Sequence, residues 1–96
     1  MNANDRIERI RARLHQALHP SSMEVVDDSH KHAGHAGAAD GRGHFKLRIV
    51  SRQFEGLLPI ARHRIVYDAL GDMMETDIHA LSIQAFAPDE TQANKR

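Results

Sequence analysis

Five histidines carry the most distinctive chemistry in this chain. His30, His32, His35 and His44 lie close together, and His79 stands well downstream. Neutral imidazole is a good ligand for zinc, iron, copper or nickel. The chain has no cysteine, so it offers neither a disulfide nor a thiolate, and any thiolate ligand must come from another molecule. A closed structural zinc site takes four protein ligands at characteristic spacings, and no such pattern occurs, so a resident structural zinc is not expected. The simpler account of the loop histidines is a polar, solvated segment, and for His79 a ring held by backbone hydrogen bonds.

A second cluster is basic. From Arg42 to Arg64 the cations are Arg42, Lys46, Arg48, Arg52, Arg62 and Arg64 against Glu55 alone, and an acidic stretch follows at Asp68, Asp72, Glu75 and Asp77. Arg62, His63 and Arg64, with Lys46, could contact phosphates, although a solvated helix face explains the helical three equally well. Three Phe and one Tyr leave little for base stacking. Gly34-His35-Ala36-Gly37 spells G-x-x-G, but between two strands rather than between two helices, so it is taken as chance. Neighbouring Asp27 and Asp28 would face opposite sides of a strand and make a poor acid/base pair. Nucleophile elbow, P-loop and dinucleotide fingerprint are all missing, so the expected mode of action is binding and not catalysis.

The elements that must position these groups follow from hydrophobic period. Ile7, Ile10, Leu14, Ala17 and Leu18 predict an amphipathic helix over 4–19, ended by Pro20. Met23 and Val25 alternate in a short strand over 23–29. His30 to Gly43 has no period and reads as a loop. Phe45, Leu47 and Ile49 alternate with Lys46 and Arg48 in a strand over 44–52. Pro59 opens a second helix running to about Met74, with Ala61, Ile65, Ala69 and Met73 as its apolar stripe, Val66 and Leu70 beside it, and Gly71 as a point of bending. Leu81, Ile83 and Ala85 alternate in a last strand over 78–86.

The order helix, strand, strand, helix, strand predicts an α+β domain: a three-stranded mixed sheet with its helices on one face. The first two strands pair antiparallel, and the second and third are parallel across the helical crossover. The loop histidines, His44 and His79 then converge at one end of the sheet, by connectivity alone.

Ninety-six residues make one domain, expected over 1–88 with a polar flexible tail over 89–96. Thirteen basic and thirteen acidic residues cancel, which argues against strong sequence-blind binding to nucleic acid or an anionic membrane. No apolar run is long enough to span a bilayer, and neither a secretory nor a transit segment is evident, so the expected compartment is the cytoplasm.

Leu18 to Ser29 with Met23-Glu24-Val25-Val26-Asp27-Asp28-Ser29, His44-Phe45, Val50-Ser51, Phe54-Glu55-Gly56, Arg62-His63-Arg64-Ile65-Val66-Tyr67 and Ile78-His79-Ala80-Leu81 together resemble the BolA family over residues 5 to 88. The resemblance implies a fold similar to a class II KH domain without its functional G-x-x-G. It implies pairing with a monothiol glutaredoxin and, in some members, DNA binding as a transcriptional regulator. It further implies a 2Fe-2S cluster bridged between the two proteins, with the glutaredoxin supplying its cysteine and a glutathione thiolate. On this side the ligands would be His79, from the I-H-A-L motif, and a loop histidine: His32 by counting from Ser29, with His35 or His30 as alternatives. The chain alone would be a monomer or a weak homodimer.

Overall fold

The computed structural model describes residues 3–28 and 43–90. Helix α1 (Ala3–Leu18) buries Ile10, Leu14 and Leu18 on one face. It ends where His19 turns left-handed (φ 45°), its amide still reaching the His15 carbonyl at 3.0 Å, and Pro20 prevents continuation. Strand β1 (Ser22–Asp27) pairs antiparallel with β2 (Gly43–Val50), from Ser22 opposite Val50 to Asp27 opposite Phe45. Strand β3 (Ile78–Phe86) pairs parallel with β2, giving the order β1-β2-β3. This is the expected α+β architecture.

The core lies between one sheet face and the helices. Phe45, Leu47 and Ile49 of β2 pack with Ile10, Leu14 and Leu18 of α1, Val66 and Leu70 of α2 (Pro59–Leu70), Met73 of α3 (Met73–Thr76), Ile78 and Phe54. The alternate residues of the sheet, Glu24, Val26, Lys46, Arg48, Ala80, Ser82 and Gln84, are all exposed on the opposite face.

Three details depart from the periodicity. Strand β2 stops at Val50 because buried Ser51 turns the chain: its hydroxyl donates to the Leu18 carbonyl at 2.7 Å and accepts from the Gln53 amide at 3.1 Å, starting the 3-10 turn Arg52–Phe54. Helix α2 stops at Leu70, short of Met74, because Gly71 adopts φ 56°, ψ −128°. There Arg13 donates to the Leu70 carbonyl at 2.6 Å and pairs with Asp72 at 2.9 Å, placing a cation at the carbonyl end of the helix. The buried stripe of α2 is also rotated by one position: Arg62, Val66 and Leu70 are buried, while Ala61, Ile65 and Ala69 are half-buried.

Beyond β3, residues 88–90 are helical, and Glu90 is tied back to α2. Residues 91–96 lie outside the described residues.

Candidate functional site

At the end of the sheet where β2 begins, the Gly43 amide donates to the Asp77 carbonyl at 2.9 Å and the Asp28 amide to the His44 carbonyl at 2.7 Å. Both flanks of segment 29–42 therefore meet beside the start of β3. The parallel ladder is irregular there: Gly43 faces Ile78 and His44 faces Ala80, so His79 is the extra residue of a bulge. A bulge re-aims a side chain. In regular alternation Ile78 would share the exposed face of Ala80, Ser82 and Gln84 and His79 the core side of Leu81. Instead Ile78 is fully buried in the core and His79 is exposed. The His79 ring lies against His44, with centroids 5.0 Å apart and planes at 51°, and His44 is buried.

Asp77 braces this rim from behind. Its buried carboxylate accepts from Arg9 of α1 at 3.0 Å and lies 3.6 Å from Nε of Arg6. The Thr76 hydroxyl donates to its other oxygen. The Thr76 hydrogen bond and then the two guanidinium charges hold the carboxyl below its ordinary pKa, against the opposing effect of burial. The chain thereby fixes the residue two places before His79 to α1.

The structure thus brings His44 and His79 together at the predicted end of the sheet. His30, His32 and His35 lie outside the described residues. Among the described residues, no three His, Cys, Asp or Glu side chains are grouped so as to hold a metal ion. His79 offers one accessible imidazole at this rim.

The basic set does not form one surface. Lys46 is exposed on the open sheet face and Arg64 is exposed on α2, which packs on the other face, while His63 is half-buried. Arg62 has to be removed from the set. Its guanidinium is buried and donates to the Leu57 carbonyl at 2.8 Å, to the Ala85 carbonyl at 2.9 Å and to both carboxylate oxygens of Glu90 at 2.7 and 2.8 Å. A fork matched to a carboxylate and two carbonyls is a structural tie between α2, β3 and the chain beyond it. Arg62 lies four residues before Val66 and eight before Leu70, so the signal for its burial was its place on the inward stripe. Sequence reasoning also missed Glu90, whose carboxyl is lowered to about 2, first by the Arg62 hydrogen bonds and then by the Ala87 amide.

A three-stranded mixed sheet with helices on one side and an exposed, bulged histidine at its end defines an α+β domain. The BolA-like protein family model matches residues 14–90, and the chain belongs to that family. It is 49% identical over 87 residues to SufE-like protein 1, chloroplastic/mitochondrial, of Arabidopsis thaliana, covering 85% of this chain and 24% of that protein. It is 42% identical over 85 residues to BolA-like protein 1 of Mus musculus, covering 88% of this chain and 60% of the relative. It is 37% identical over 83 residues to the DNA-binding transcriptional regulator BolA of Escherichia coli, covering 86% and 76%. Among solved structures, the BolA domain of SufE1 from Arabidopsis thaliana superposes with a TM-score of 0.78 at 42% identity, covering 94% of this chain and 98% of that one. The chain spans about a quarter of SufE-like protein 1 and under two thirds of the mouse protein.

Proposed function

We propose that the chain is an accessory protein of iron-sulfur handling or iron regulation. It binds a monothiol glutaredoxin and shares a bridging 2Fe-2S cluster with it. The observation that carries this reading is the bulge at His79, which turns an imidazole to solvent beside the two ends of a histidine-bearing segment. His79 would hold the cluster together with His32, or with His35 or His30 in its place. The donor set suits the group, because two neutral imidazoles can replace two thiolates on one iron, an arrangement that raises the reduction potential. A chain without cysteine offers no thiolate, so on this reading the partner supplies the thiolate sulfur. His44 packs against His79 and limits the ring positions open to it. The Asp77 brace holds the strand end on which both depend. On this reading the protein works in the cytoplasm by binding, without catalysis. Anaerobic titration of the chain into cluster-loaded monothiol glutaredoxin tests it: visible circular dichroism bands should change and saturate at one equivalent, and an unchanged spectrum would overturn it.

A second reading, DNA binding, draws on the Escherichia coli relative and on the exposure of Lys46 and Arg48 on the open sheet face. It predicts an affinity for duplex DNA that falls steeply with salt, and a flat response would contradict it.

A further inference from the structure

The sheet face turned away from the helices carries a pattern that neither histidine binding nor the core uses. Lys46 and Arg48 stand on the central strand, both exposed, with one residue between them, so their Cα atoms are about 6.6 Å apart along it. Their register partners on β3 are Ser82 and Gln84, short neutral side chains that donate and accept hydrogen bonds, and both are exposed. The Arg48 guanidinium carbon lies 5.2 Å from the centroid of the Phe86 ring, within the range of a cation–π contact. On the β1 side the same face carries Val26 opposite Lys46 and a single acid, Glu24, opposite Arg48, and with Lys46, Arg48, Ser82 and Gln84 they line a groove of about 260 Å³. Among the described residues, neither Lys46 nor Arg48 has a carboxylate partner.

We propose that this open face binds a single strand of nucleic acid running along β2. Lys46 and Arg48 would take successive phosphates, the Phe86 ring beside Arg48 would meet a base, and Ser82 and Gln84 would meet base edges. This rests on the DNA-binding reading and places it on the sheet and not on α2. With a single aromatic, affinity rests on the phosphates, so binding is weak, tolerant of sequence and dependent on salt. An acidic peptide would satisfy the two cations but would leave the Phe86 ring and the amide of Gln84 without a role.

The test is fluorescence anisotropy with a labelled single-stranded DNA of mixed sequence, at several salt concentrations, on the full chain. Three proteins are compared: the parent, the K46A/R48A double variant and Arg64→Ala on the opposite side of the domain. The parent should show a log–log salt slope of about −1.4, two phosphates' worth, and the double variant should bind roughly tenfold more weakly with a slope near zero. Arg64→Ala should match the parent. All changed residues are exposed, and circular dichroism checks that each variant is folded. Equal binding by the parent and the double variant overturns the proposal. Loss of binding in Arg64→Ala also overturns it, while leaving DNA binding by α2 intact. Binding of labelled poly-glutamate without any binding of DNA overturns it in favour of an acidic protein. Absence of binding to single- and double-stranded DNA alike ends both readings.

Discussion

His44 and His79 lie with ring centroids 5.0 Å apart, one ring buried at the end of the sheet and the other exposed on a bulge. The two rings differ in what they can do: the buried imidazole is a packing group, and the exposed one is open to solvent. Stability should follow that difference. His79→Ala should change unfolding free energy by no more than about 0.5 kcal/mol, whereas His44→Ala should cost about 1–3 kcal/mol. Urea denaturation of the two variants measures both. Equal losses would mean that His79 is itself a packing residue.

Arg62 should behave as part of the frame and not as part of a binding surface. Arg62→Ala would leave the Leu57 and Ala85 carbonyls without their donor and release Glu90. The expected cost is about 2–3 kcal/mol, reduced from that of a fully buried pair because Glu90 is partly exposed. Arg62→Lys should recover only part of it, since an ammonium cannot fork across a carboxylate. Chemical denaturation measures the loss, and a neutral Arg62→Ala would contradict the buried tie.

Acid should loosen the domain from two places. Glu90 falls from an ordinary 4.5 to about 2 in the folded chain, and Asp77 is likewise lowered from 3.8. Depressed carboxyls contribute stability that is fully present above their unfolded values and is lost as pH falls through the folded ones. Stability should therefore decline from about pH 4.5 toward pH 2. Glu90→Gln should flatten the part of that decline due to Glu90, which unfolding at a series of pH values would reveal. An NMR titration of Glu90 with a midpoint near 4.5 would contradict the tie.

Gly71 should resist substitution. Its φ of 56° is one that L side chains rarely adopt, and a Cβ there would stand 3.4 Å from Nη1 of Arg13, the group that caps α2. Gly71→Ala should cost about 1 kcal/mol or more, and a stabilised variant would contradict the assigned helix end.

The frame was legible because alternation at Phe45, Leu47 and Ile49 and helical spacing at Ile10, Leu14 and Leu18 are consequences of burying one face. Strand β3 has the predicted bounds, Ile78–Phe86. The convergence of His44 with His79 was legible from connectivity, since parallel strands begin at the same end. The bulge that exposes His79 was not, because a register shift depends on how Gly43 and Asp77 bond across the ladder and leaves no periodic trace. Arg62 was misassigned because its charge outweighed its place on the Val66 and Leu70 stripe, and its partner lies 28 residues downstream. The end of α2 was half legible: Gly71 marked the place, but the capping cation comes from Arg13 on another helix.

The central claim is that His79 ligates a cluster shared with a partner. Its most direct test is reconstitution without oxygen of a monothiol glutaredoxin with iron, sulfide and glutathione, in the presence of the parent chain or of His79→Ala. The parent should shift the visible absorption and circular dichroism bands away from those of the glutaredoxin's own cluster, and His79→Ala, still folded, should leave them unshifted. The same shifted spectrum from both proteins would contradict the account.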